Sequence, residues 1–391
     1  MKQTILILTN SDSGLYDFRK EVLTALVEKG YRVVVSVPAG NYRTRIQNLG
    51  CEYVETAFNR RGMNPIKDAS LFLRYLKFIK QYKPSVVLTY TIKPNIYGGM
   101  ACRLLRIPYL VNITGLGTAL ENPGKVQQIV VMLYKLALRS ASCVFFQNEY
   151  NRQFVTEKGC IAGKTRLLPG SGVNLQEHAY VPYPPEKVHT KTEYEKLGLE
   201  PEQRKTAGEV EIRILDVMRV MKAKGIEELL VAAPIIYKEF PQVEFAIAGA
   251  YEEETRSLYE PQIKDLQEKG ILRYYGYRED LPQIMADSHI ILNPSYSEGM
   301  SNVLLEAAAT GRTVVASDIQ GCRETFEEGV SGYGCIARNC ESLVDALRKI
   351  LSHTAEEREQ MGKNGRTHVE KTFDRNKVIE IYLEEIKRAV R

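Results

Sequence analysis

Glu298 and Glu306 stand eight residues apart in HIILNPSYSEGMSNVLLEAAATGRTVVASD, residues 289–318. Glu298 falls in a small polar loop, Ser295 to Gly299, that follows an apolar run. Glu306 falls in a helical stretch from about Ser301 to Thr310, which Gly311 closes as a C-cap. Gly299 lets the backbone approach a ligand with no Cβ in the way. The N–H groups of Met300, Ser301 and Asn302 open the helix, and a helix N-terminus suits anionic or hydroxyl-rich groups. A loop carboxylate placed there can accept hydrogen bonds from sugar hydroxyls, and Glu306 can reach a ribose diol. A second constellation is VMRVMKAKG, residues 217–225, after another apolar run. Arg219 and Lys224, five apart, are placed to hold a diphosphate and to neutralise it as it leaves. Lys222 reads as a solvated charge.

Other chemistries find no support. Gly115-Leu-Gly117 and Gly170-Ser-Gly172 lack the third glycine of a dinucleotide fingerprint. Gly163-Lys164-Thr165 resembles the end of a phosphate-binding loop, but Gly159 leaves three intervening residues where four are needed, and the segment precedes a strand. There is no DxD pair, so a donor-bound divalent metal is not expected. Only five histidines occur, and His289, in an apolar strand, is expected to be a hydrogen-bonded core residue. The seven cysteines form no CxxC and read as reduced.

These residues need positioning elements, and the chain supplies them in a regular rhythm. Strands are predicted at Thr4–Asn10, Arg32–Pro38, Tyr53–Phe58, Ser85–Tyr90, Tyr109–Thr114, Cys143–Gln147 and Arg166–Pro169, with helices such as Phe18–Lys29, Leu71–Tyr82 and Gln127–Ser140 between them. The rhythm breaks in a segment rich in Pro, Lys and Glu. It restarts with strands at Ile212–Val217, Val243–Ala248, Leu272–Tyr277, His289–Asn293 and Thr313–Ser317, and ends in helices at Ala355–Thr372 and Arg375–Arg391. Continuous apolar strands separated by helices mean parallel sheets covered on both faces, an α/β class. We expect two doubly wound, Rossmann-like domains facing a cleft: residues 1–180, then a connection over 181–210, then 211–374. The helix at about 375–391 is expected to pack back on the first domain. Ligands bind outside the carboxyl ends of such strands.

The length of 391 residues also favours two cores over one. No window is apolar enough for a membrane span, and the opening MKQTILILTN reads as a first strand, not a leader, which suggests a cytoplasmic protein. Net charge is +5, but residues 1–180 carry 24 Lys and Arg against 11 Asp and Glu, whereas residues 181–391 carry 29 against 37. The first half should therefore face something anionic. A membrane surface is the expectation, and nucleic acid is not. The candidate docking element is residues 68–83: Leu71, Phe72, Tyr75, Phe78 and Ile79 form one stripe, flanked by Arg74, Lys77, Lys80 and Lys83, with Arg60, Arg61 and Lys67 just before. Burial on the parallel sheet is the usual fate of such a stripe, and its cations would then still be free to face the membrane.

With these motifs in place, the chain resembles the family 4 retaining glycosyltransferases of the GT-B fold over almost its whole length. Glu298–Glu306, Arg219 and Lys224 carry the resemblance, and NITGLG, TIKPNIYGG and LLPGSGVN are similar to the branch that builds bacterial capsule, O-antigen and lipid-linked glycans. The resemblance implies that Arg219 and Lys224 hold the donor diphosphate, Glu306 the ribose, and Glu298 the region of the donor sugar. It implies that the early loop Ser11–Leu15, with Gly14, borders the phosphates and acceptor. It also implies a nucleotide sugar, expected to be UDP-linked, as co-substrate with no further cofactor or metal, and a saccharide acceptor on undecaprenyl diphosphate. Two positions depart from the family pattern: Thr114 stands where many members have His, and Met218 where Gly often precedes the Arg. A soluble acceptor, or a nucleotide-sugar epimerase on the same fold, are the alternatives.

Overall fold

The computed structural model describes residues 2–56, 64–117, 120, 123–184, 187–188 and 210–390. The chain divides into two compact units, residues 1–171 with 375–391, and residues 172–374.

The first unit is a seven-stranded parallel sheet. Its strands are β1 (Thr4–Leu8), β2 (Arg32–Val37), β3 (Glu52–Glu55), β4 (Val86–Tyr90), β5 (Tyr109–Ile113), β6 (Cys143–Phe146) and β7 (Thr165–Leu167), in the order β3-β2-β1-β4-β5-β6-β7. Runs such as ILIL and VVLTY are buried throughout because helices cover both faces. The helices are α1 (Asp12–Glu28), α2 (Arg43–Asn48), α3 (Pro65–Tyr82), α4 (Gly99–Leu105), α5 (Lys125–Leu138) and α6 (Glu149–Glu157). α1 starts six residues before the expected Phe18, because the Ser11 hydroxyl accepts the Gly14 N–H and caps it. α3 likewise starts at Pro65 behind the Asn64 cap. Its apolar stripe does not face outward: Leu71, Tyr75 and Ile79 are buried, and Phe72 and Phe78 pack beside them on one sheet face. Of the two fates open to the stripe the structure shows burial on the sheet, because a helix crossing a sheet buries its apolar side, and Lys77 and Lys80 are left exposed. Arg60 and Arg61 lie outside the described residues.

The second unit holds β9 (Val210–Val217), β10 (Val243–Ala248), β11 (Leu272–Gly276), β12 (Ile290–Asn293), β13 (Thr313–Ser317) and β14 (Gly332–Cys335), all parallel, in the order β11-β10-β9-β12-β13-β14. A short β8 (Lys187–Val188) pairs antiparallel with the start of β9. Its helices are α7 (Ile226–Glu239), α8 (Glu253–Glu268), α9 (Leu281–Ala286), α10 (Asn302–Thr310), α11 (Cys340–Leu351) and α12 (Ala355–Thr372). The boundary lies at Ser171/Gly172, not at 180. The buried Arg312 explains this, since its guanidinium donates to the carbonyls of Val181, Pro182 and Ala286 and ties the incoming segment to this unit. Most of the connection, residues 189–209, lies outside the described residues.

A last helix, α13 (Arg375–Val390), belongs to the first unit. Val378, Tyr382 and Ile386 enter the core beneath β1, β2 and β4, and Arg375 pairs with Glu21 at 2.8 Å. The Tyr382 hydroxyl donates to Asn112 Oδ1 on β5, and the buried Glu385 takes Lys164 at 2.6 Å and Arg166 at 2.9 Å.

Candidate active site at the carboxyl edge of the second sheet

Strand order reverses between β9 and β12, and in open α/β sheets ligands bind outside the strand ends at that point. The two loops that leave there are Met218–Gly225 and Pro294–Ser301, and they hold both sequence constellations.

Backbone contacts join the two loops. Lys222–Lys224 forms one 3-10 turn, and Gly225 then takes φ 78° to open α7. A Cβ on Gly225 would stand 2.2 Å from the Pro294 carbonyl oxygen, so only glycine lets the basic loop lie against the end of β12. The Tyr296 N–H donates to Ala223 O at 3.0 Å. Lys224 Nζ then meets Glu298 Oε1 at 2.5 Å. The neighbouring loops close in similarly. A Cβ on Gly249, after β10, would collide with Met218 O at 1.8 Å, and one on Gly321, after β13, would come 2.7 Å from Glu298 O. Four strand ends therefore converge through glycines on one small edge.

The other expected residues fall as follows. Arg219 follows the same strand, half-exposed, and pairs with Glu252 in the loop before α8. Glu306 is the fifth residue of α10, just over one turn from its start, with Oε1 4.0 Å from His178 Nε2. Met300 is buried. Ser301 differs from the expectation. Its N–H donates to Gly321 O at 2.7 Å and its hydroxyl caps α10 while accepting from Asn293, so it holds the loop and offers no free amide. Asn302 opens α10. Gly14 belongs to the first unit, where its N–H is taken by Ser11 Oγ at 3.1 Å. The loop around it borders the first sheet's own point of reversal, between β1 and β4. Just past β4, Thr91 holds a left-handed φ of 71°, unusual for a β-branched residue.

Two neighbours were not foreseen. Asp216, on β9, is buried beneath this edge, and its Oδ2 has no hydrogen-bond partner among the described residues. Burial pushes its carboxyl well above the usual range; nearby Lys224 opposes the shift and Glu298 adds to it. The available sequence signal was an acid directly after the apolar pair Ile214-Leu215, near the end of a strand. His178 follows shortly after the boundary between the units. Arg366 holds its carbonyl at 2.9 Å, and its ring lies beside Glu306. His289 is a core residue whose Nδ1 accepts the Arg213 N–H at 2.9 Å.

Two doubly wound parallel-sheet domains, one with this acidic and basic edge, match the GT-B fold class. The "Glycosyl transferase 4-like domain" family matches residues 17–170 and "Glycosyl transferases group 1" matches residues 200–368. The chain belongs to the glycosyltransferases built from these two domains, the family 4 type that Glu298 and Glu306 suggested. Among curated relatives it is 25% identical over 351 residues to a Campylobacter jejuni N,N'-diacetylbacillosaminyl-diphospho-undecaprenol alpha-1,3-N-acetylgalactosaminyltransferase, covering 88% of each chain. It is 27% identical over 297 residues to an Escherichia coli UDP-Gal:alpha-D-GlcNAc-diphosphoundecaprenol alpha-1,3-galactosyltransferase, covering 74% of this chain and 72% of that one. Anabaena HepE, crystallised with UDP and glucose, shares the fold at a TM-score of 0.76 and 17% identity, over 99% of this chain and 100% of its own.

Proposed function

We propose that this chain is a retaining glycosyltransferase that moves a sugar from a UDP-linked donor to a saccharide carried on undecaprenyl diphosphate, in the assembly of a bacterial surface polysaccharide or glycan. The observation that carries the reading is the contact of Lys224 with Glu298 at the reversal point between β9 and β12. A cation held there by a glycine-tight loop is pre-positioned for charge that grows on a leaving diphosphate. Arg219 adds a second cation by exchanging Glu252 for phosphate. Glu306 takes the ribose hydroxyls, and Glu298 faces the donor sugar. The acceptor hydroxyl attacks from the face that the diphosphate leaves, so the anomeric configuration is kept. The two relatives named above act on undecaprenol-diphosphate-linked substrates, which supports a lipid-linked acceptor. No metal is assigned to the donor, whose charge the two cations meet.

The test is a panel of nucleotide sugars with a polyprenyl-diphosphate saccharide as acceptor. We expect UDP release and a product one sugar longer, α-linked from an α-linked donor by proton NMR, with EDTA leaving the rate largely intact. A β-linked product overturns retention. Loss with EDTA restored by Mn²⁺ overturns the metal-free donor site. Conversion of the nucleotide sugar without any acceptor would point to an epimerase.

A further inference from the structure

α5 is amphipathic in an inverted sense. Val130, Tyr134, Ala137 and Leu138 are buried against the first unit's core, yet Val126, Ile129, Met132 and Leu136 stand exposed by 42–55% on the opposite side. At 100° per residue these four fall on one stripe. Lys125 begins it, and Lys135 and Arg139 flank it, all exposed. The next helix continues the surface. Gly99 of α4 lies so close to α5 that a Cβ would come 3.0 Å from Ala137 O, and Arg103 donates to Leu136 O at 2.9 Å. Leu104 is 64% exposed between the exposed Arg103 and Arg106. Solvent alone does not favour so much apolar side chain along one face.

Charge indicates what covers it. Residues 65–139 carry eleven Lys and Arg and two acids, Glu121 and the buried Asp68, which Lys93 holds at 2.8 Å. This stretch supplies α3, α4 and α5, whose inner sides share one core cluster. α3 thus contributes outward cations, Lys77 and Lys80, while its apolar stripe is buried. Exposed aliphatic side chains ringed by cations that far outnumber acids match an anionic bilayer surface: the alkyl groups enter the headgroup boundary and the cations meet lipid phosphates. No described helix is long and apolar enough to cross a membrane.

We propose that the α4–α5 face of the first unit docks the protein on an anionic lipid surface, through Leu104, Val126, Ile129, Met132 and Leu136 with Arg103, Lys135 and Arg139. The proposal rests on exposure and charge in the first unit and is independent of the donor reading of the second.

The experiment is flotation of the full chain with phosphatidylcholine vesicles and with mixed phosphatidylglycerol–phosphatidylcholine vesicles, at low and high salt. The wild type should float with the anionic vesicles at low salt, and release as salt rises. Two surface variants separate the contributions: Ile129→Glu with Met132→Glu for the apolar stripe, and Lys135→Glu with Arg139→Glu for the cations. Each should weaken partition by about tenfold or more, while nucleotide binding and the melting curve stay as in the wild type. Nucleotide binding reads the second unit alone, so its loss would count against the donor reading and not against docking. Equal flotation with neutral and anionic vesicles would overturn the proposal, as would wild-type flotation by both variants. So would a concentration-dependent dimer in sedimentation that Ile129→Glu with Met132→Glu abolishes while flotation persists, since the stripe would then cover a second copy of the chain.

Discussion

At the scale of single residues, the site couples three charges of unequal exposure. Lys224 and Glu298 face the edge, and Asp216 lies buried below them. A carboxyl whose folded-state pKa is raised keeps its proton where the unfolded chain has lost one. Its contribution to stability is therefore complete below the ordinary carboxylate pKa of about 4 and is lost as pH climbs toward the raised value. Asn mimics the protonated acid and has no proton to lose. Asp216→Asn should therefore melt above the wild type, with a gap that widens as pH rises from about 5 to 8. A constant gap, or one that narrows, would mean that Asp216 is ionised in the folded protein. Asp216 was not legible as part of the site, because Glu298 comes near it only when the ends of two strands distant in sequence, β9 and β12, meet. The Glu298–Glu306 spacing was legible for a related reason: both residues lie on one strand–loop–helix unit, whose local geometry the sequence specifies. The engagement of the Ser301 amide was not legible, because its acceptor is the carbonyl of Gly321, a residue from the next loop.

At the scale of elements, the loops after β9, β10, β12 and β13 depend on close backbone approach. Gly225 and Gly329 offer a controlled comparison. Both have positive φ, 78° and 70°, but a Cβ on Gly225 meets Pro294 O, whereas one on Gly329 meets nothing within 4 Å. Gly329→Ala should cost only the left-handed strain, about 1 kcal/mol. Gly225→Ala adds a clash with backbone and should cost about 2 kcal/mol more. It should also weaken UDP binding, because Lys224 is the adjacent residue. Equal losses in chemical denaturation with unchanged UDP affinity would show that the loop relaxes freely. Strand positions were legible almost to the residue, as at Val243–Ala248 and Thr313–Ser317, because fully buried parallel strands read as apolar runs. Helix starts were less so: the caps at Ser11 and Asn64 each stand seven residues before the expected starts at Phe18 and Leu71. The short β14, GYGC, carries two glycines and no apolar run, and left no signal.

At the scale of the molecule, two sheets with the same order of reversal divide the work. The first carries the excess positive charge and an exposed apolar face, and the second carries the convergent loops. The alternation of strands and helices revealed the two-domain class, but the boundary needed tertiary structure, since the ties from Arg312 to residues 181–182 cross 130 positions of chain. The central claim is that the edge between β9 and β12 binds a nucleoside diphosphate. Calorimetric titration of UDP into the wild type, Lys224→Met and Glu306→Ala tests it most directly. Each substitution removes one charged partner, worth about 1.5–3 kcal/mol, and should weaken UDP roughly tenfold to a hundredfold without altering the melting temperature of the free protein by more than a few degrees. UDP affinity equal to the wild type in both folded variants would place the nucleotide elsewhere and contradict the account.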